Sequence, residues 1–197
     1  MADMSKGELT KQAVLEEATT IAARLGLEGL TIGSLATATN MSKSGLFGHF
    51  RSKEALQLQV LAFARENFTD LVIRPALAAP RGEPRLRVMF DRWLELGRSF
   101  AAGCLFVSAA TEFDDRDGLV RDQLVHDHQD MLDSVAQMVR AGISEGHFRA
   151  DADAEQFAHD LNSMMLGFYH SHRLMRDPRA EARTRRAFDT LLDNARP

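Results

Sequence analysis

The residues best suited to chemistry crowd into one short stretch. From Thr31 to Lys53 there are three cations (Lys43, Arg51, Lys53), one histidine (His49), and hydroxyls that include Thr31, Ser42, Ser44 and Ser52, with no acidic residue among them. Cations and hydroxyls beside helix N-termini are ligands for phosphate, and polar donors at the start of a helix are what a helix entering a major groove requires. The 197-residue chain carries a formal net charge of −4. That excludes a globally basic coat, yet all four lysines lie in the first 53 residues, so the positive charge is concentrated near the start.

Other chemistries find less support. The histidines His126, His128, His159, His170 and His172 include pairs two apart, which point in different directions on a helix and do not chelate from one face. No metal site, cofactor or catalytic group is expected. The single cysteine, Cys104, excludes an internal disulfide and a CxxC pair, and its apolar neighbours offer nothing to activate a thiolate. The C-terminal stretch from Arg173 to Arg196 is rich in arginine, which a solvated helix face explains adequately.

The elements that position these residues read as helices throughout. Alanine and leucine far outnumber valine and isoleucine, and no segment alternates apolar with polar residues for long. With 45% apolar and 26% charged residues the chain can bury a core and stay soluble. The first helix carries Val14, Ala18, Ile21, Ala22 and Leu25 and stops at Gly26. A second starts at Thr31 as N-cap, faces inward with Ile32, Leu35 and Ala36, and closes at Asn40. A third follows Ser42, buries Leu46 and Phe50, and exposes Lys43, Ser44, Phe47 and His49. Gly45 and Gly48 lower its propensity but let a ligand approach closely. This is the arithmetic of a helix-turn-helix, with the small Ala36 letting the two axes meet and Asn40 tolerating left-handed backbone at the turn.

Ser52 caps a fourth helix whose inner stripe, Leu56, Val60, Phe63, Ala64, Asn67, Phe68 and Leu71, is expected to continue until Arg74 precedes Pro75, with a loop from Ala76 to Pro84. Further helices follow, about nine in all. One is long, from about Leu119 to Glu145, with Leu124, Val125, Met131 and Val135 inward. The last two run from a cap at Asp151 or Asp153 to Asp177 and from about Arg179 to Asn194. The apolar run Ser99 to Thr111 falls short of the roughly 20 residues of a membrane span, and the N-terminus lacks an apolar signal core, so the expectation is a cytoplasmic protein without membrane attachment.

The run Leu30-Thr-Ile-Gly-Ser-Leu-Ala-Thr-Ala-Thr-Asn-Met-Ser-Lys-Ser-Gly-Leu-Phe-Gly-His-Phe-Arg-Ser-Lys-Glu-Ala-Leu56 resembles the DNA-binding signature of the TetR family of bacterial transcriptional regulators. In that family the reading helix ends in an aromatic, a variable residue and then His-Phe, and the next helix opens with lysine. His49, Phe50 and Lys53 match. The resemblance spans roughly residues 10 to 60 and implies phosphate or base contact for Thr31, Ser42, Lys43, Ser44, His49 and Lys53. Phe47 stands where the family usually has a tyrosine whose hydroxyl meets a phosphate. That hydrogen bond is absent here, which leaves Phe47 to pack on sugar or a thymine methyl.

The sequence therefore predicts an all-α protein: a three-helix helix-turn-helix domain (1–52) followed by a helical bundle (53–197) for effector binding and dimerisation. The expected partners are a double-stranded operator, a second copy of the chain and a small, largely apolar effector. Phe63, Met89, Trp93, Phe100, Cys104, Met131, Met165 and Tyr169 are the candidate ligand-binding residues, because a bundle rich in Met and Phe can enclose an apolar cavity. The competing reading is a helical scaffold, ligand carrier or enzyme whose helix-turn-helix is only structural.

Overall fold

Short polar side chains and glycines set the ends of the N-terminal helices. The computed structural model describes residues 6–99 and 103–197. Helix α1 (Lys6–Leu25) gives way to Gly26, whose φ of +86° is costly for any residue with a Cβ. Helix α2 (Ile32–Thr39) opens on a reciprocal capping box: the Ser34 N–H donates to the Thr31 hydroxyl, and the Thr31 N–H donates to the Ser34 hydroxyl. Asn40, left-handed at φ 53°, closes it. Helix α3 (Lys43–Phe50) is capped by Ser42, which accepts the Gly45 N–H, and helix α4 (Lys53–Phe68) by Ser52, which accepts the Ala55 N–H.

Pro75 does not end the fourth helix. A π turn (Thr69–Ile73) follows α4, and helix α5 (Arg74–Ala78) continues from it. The Arg74 N–H bonds the Thr69 carbonyl, one residue further back than in an α-helix. This widening restarts the ladder just before the proline, which then sits at the beginning of an α segment, where its missing N–H costs little. The loop expected from Ala76 shrinks accordingly, and helix α6 (Glu83–Ser99) begins just beyond Gly82.

Helices α7 (Leu105–Phe113), α8 (Leu119–Ser144), α9 (Ala154–Tyr169) and α10 (Ala180–Ala195) complete the order, with a second π turn (His170–Leu174) after α9. With α4 and α5 joined through the π turn, the described residues form nine helical rods and no strand, so the all-α expectation holds. No helix among them is long and apolar enough to cross a membrane.

The described residues group into two compact units. The first falls within the spans Met1–Asn67 and Ala102–Val125. Its core brings Leu35 and Ala36 of α2, Leu46 and Phe50 of α3, and Leu56 and Val60 of α4 together with Ala109 and Phe113 of α7. The second falls within Phe68–Ala101 and His126–Pro197. There Phe90 of α6 stacks on Phe188 of α10 with ring centroids 3.9 Å apart, and Phe68 meets Trp93 edge-on. Three apolar residues expected inward are exposed: Leu25, Leu71 and Val125. Leu25 ends its helix, Leu71 lies inside the π turn where the apolar stripe loses register, and Val125 stands one residue, about 100°, round from the buried Leu124.

Candidate nucleic-acid interface

The outer face of α3 is polar because its inner face needs only two anchors. Leu46 and Phe50, at 0% and 1% exposure, fix the helix in the first core, and the residues between them face outward. Lys43, Ser44, Phe47, Gly48 and His49 are all exposed. Phe47 is 58% accessible, an unusual state for a ring that could be packed. Nothing lies within 4 Å of where a Cβ on Gly48 would stand, so this side of the helix is open to an approaching surface. The Ser42 and Ser44 hydroxyls lie 3.2 Å apart at the helix start. The Lys43 ammonium reaches back toward Gly33, about 4.0 Å from where a Cβ on that glycine would be.

Three helices start at Thr31, Ser42 and Ser52, each of which accepts one N–H of the first turn with its side chain. Arg51, the C-cap of α3, is exposed and held at φ 61°, a positive value uncommon outside glycine.

Lys53 is placed differently from the other cations. Its ammonium donates to Glu28 Oε1 at 2.7 Å, and Arg116, on the turn between α7 and α8, lies 3.1 Å from Glu28 Oε2. Glu112 of α7 accepts the Glu28 N–H at 2.9 Å. Gln57, one turn after Lys53 and buried, donates to the Leu27 carbonyl. The hydrogen bond from Lys53 holds the Glu28 carboxyl below its ordinary value against partial desolvation, with the charges of Lys53 and Arg116 and a bond from Gln57 adding to it. Glu28, Glu112 and Arg116 escaped the sequence reading because Glu28 lies just outside the acid-free window, while Glu112 is 84 residues away from it in the chain. No local pattern marks such a contact.

The candidate ligand residues divide between the units. Phe63 and Cys104 are half-buried in the first. Met89, Trp93 and Met165 are buried in the core of the second, Met131 packs partly buried against it, and Tyr169 is buried beside Gly97. Phe100 lies outside the described residues. Met89 and Met165, both at 0% exposure, are embedded in side chains.

Elsewhere, Arg183, Arg185 and Arg196 of the arginine-rich stretch are drawn into ion pairs with Asp177, Asp91 and Glu83. Among the described residues, no three His, Cys, Asp or Glu side chains gather as a metal site would require. His172 stacks on Phe168 instead, and His126 lies 3.5 Å from Asp130.

Comparison with known proteins places these features in context. Residues 14–60 match the family described as "Bacterial regulatory proteins, tetR family", and residues 82–188, more than half the chain, match "Tetracyclin repressor-like, C-terminal domain". No curated protein matches. Among solved structures, a TetR transcriptional regulator from Chloroflexus aurantiacus J-10-FL superposes with a TM-score of 0.85 at 22% identity, over 96% of each chain. CifR, a TetR family regulator solved as a cysteine mutant with a 26 bp double-strand operator DNA, gives a TM-score of 0.77 at 24% identity, covering 90% of this chain and 94% of its own. AibR, solved with isovaleryl coenzyme A and operator DNA, gives 0.68 at 21% identity over 88% of this chain and 95% of that one.

Proposed function

The chain belongs to the TetR family of bacterial regulatory proteins, DNA-binding regulators of transcription built on a helix-turn-helix, and on that premise we propose that it is a repressor. It binds a pseudo-palindromic operator as a homodimer, and a small, largely apolar effector releases it. One observation carries the reading: α3 is anchored from within by Leu46 and Phe50 and exposes Lys43, Ser44, Phe47 and His49 around the open position of Gly48.

In this reading Lys43, Ser44 and His49 enter the major groove. Thr31, Ser42 and Lys53 hold phosphates, and Phe47 packs on sugar or a thymine methyl. Residues 1–52 carry DNA binding, and residues 53–197 carry effector binding and dimerisation through α9 and α10. The protein acts in the cytoplasm, where a bacterial operator lies.

Two reading helices about 34 to 36 Å apart engage successive major grooves, so their separation sets affinity. Effector binding changes that separation only to the extent that the effector prefers the released geometry. A thousandfold loss of affinity takes about 4 kcal/mol of preference. Met89, Trp93, Phe100, Met131, Met165 and Tyr169 supply the apolar contacts to the effector. The acyl-coenzyme A bound by AibR supports the idea that this fold accepts ligands with apolar parts.

A gel shift of the purified protein against genomic fragments, with and without a metabolite pool, tests the proposal. Retention of a subset of fragments, reversed by the pool, is the expected result. Failure to retain any duplex at low ionic strength overturns it.

A further inference from the structure

Lys53 carries two assignments that compete. In the proposed function it holds a DNA phosphate, while in the structure its ammonium sits 2.7 Å from Glu28. We propose that Glu28 is an internal stand-in for phosphate: it holds Lys53 when no DNA is bound, yields it to a backbone phosphate on binding, and keeps Arg116 as its remaining counter-ion. The inference rests on the reading of Lys53 as a phosphate ligand.

Three observations carry it. The pair can open, because the side chains of Lys53 and Glu28 are 38% and 45% exposed, in the range where an ion pair is weak and exchangeable. Opening does not strand a charge, because Arg116 lies 3.1 Å from the other carboxylate oxygen, Oε2, and stays there when Lys53 leaves. The backbone that carries the carboxylate is anchored, because the Glu112 carboxylate of α7 accepts the Glu28 N–H and lies over Gly26. Glu28 is thus an anion on an anchored backbone three residues before the Thr31 cap, and in this proposal it weakens the hold of this corner on any duplex. Arg116, from the turn between α7 and α8, sets how tightly Glu28 competes, so the charge on that turn tunes DNA affinity without touching DNA.

The test uses the full chain and a fluorescein-labelled 30-bp duplex of scrambled sequence, followed by anisotropy at several salt concentrations. Glu28→Gln is expected to tighten binding by about threefold per protomer and to steepen log K against log salt by up to about one unit. Arg116→Gln is expected to weaken binding by a similar factor. Both effects should largely vanish with their cause: Glu28→Gln should have little effect in a Lys53→Gln background, and Arg116→Gln little effect in a Glu28→Gln background. An equal gain from Glu28→Gln with and without Lys53 makes Glu28 a through-space repulsion only and overturns the exchange. A loss of affinity in Glu28→Gln makes it an orienting residue for Lys53 and also overturns it. If Lys53→Gln alone leaves affinity unchanged, Lys53 is not a phosphate ligand and the reading beneath the proposal falls with it. Should Glu28→Gln unfold, the half-exposed Arg116→Gln, alone and with Lys53→Gln, still decides the sign.

Discussion

Phe47 is the residue where the reading face departs from its family, and its environment says what restoring the usual tyrosine would do. The ring is 58% exposed on α3, so a hydroxyl added to it meets solvent in the free protein and breaks no packing. In the complex that hydroxyl would reach a phosphate. Phe47→Tyr should therefore tighten binding to operator and scrambled duplexes alike by about tenfold, the worth of one hydrogen bond to a charged group, with thermal stability unchanged. A gain confined to one operator would mean that position 47 reads bases. Alanine at Lys43 or His49 should instead reorder preference among operators; if both variants keep the parent's order, α3 is not the reading helix. Gly26 makes a stability prediction of the same local kind. Its φ of +86° strains any side chain, and a methyl there would push the Glu112 carboxylate off the Glu28 N–H, so Gly26→Ala should cost about 1 to 2 kcal/mol in denaturant unfolding. Thr31, Asn40, Ser42 and Ser52 were readable from the sequence because a cap acts on backbone three or four residues away. Glu28, Glu112 and Arg116 were not, because their contacts exist only once distant turns meet.

Helix α3 has eight residues, two of them glycine, and on propensity alone it would not persist. Leu46 and Phe50 hold it through tertiary packing, which leaves the outer glycines available for a surface to approach. Gly48 separates the two roles. It lies inside the helix with open space where a Cβ would go, so Gly48→Ala should stabilise the protein by about 0.5 to 1 kcal/mol. The same methyl stands on the face proposed to meet DNA, so affinity should fall while the melting temperature rises. Unchanged affinity would show that DNA does not come close there. The helix joining α4 to α5 teaches the opposite lesson about reading elements. Proline is a sound local signal for a stop, and the sequence ends the helix there. The π turn Thr69–Ile73 answers that signal by shifting the hydrogen-bond ladder one residue, a change that hydrophobic periodicity does not record. Leu71, read as inward and found exposed, follows from the same shift.

At the scale of the molecule, the body must stay folded and, in the proposed function, must pair. Glu83, at the start of α6, accepts hydrogen bonds from Arg196 and Arg87, and these hold its carboxyl below the ordinary value of 4.5, the bond from Arg196 foremost, against partial burial. A folded value below the unfolded one means that the ionised carboxylate stabilises the fold at neutral pH. That contribution fades as pH falls below about 4.5 and through the lower folded value. Glu83→Gln should therefore lower the melting temperature at pH 7, and the gap from the parent should close on acidification; a gap constant with pH would assign the loss to packing. The proposed pairing would use a different surface. On α9, Leu166 is 43% exposed beside Gly167, where a Cβ would meet nothing within 4 Å, and Ala187 and Thr190 are exposed on α10. Exposed small residues and one exposed leucine on these two helices suit the close approach of an identical helix pair. Because Leu166 is outside the core, Leu166→Arg should leave the melting of a single chain nearly intact while placing like charges across the proposed two-fold axis. Sedimentation should then find monomers at micromolar concentration, and operator affinity should fall by at least about a hundredfold, because a lone reading helix loses the contribution of the second half-site. A dimer that survives this substitution with unchanged DNA binding would place the contact between protomers somewhere other than α9.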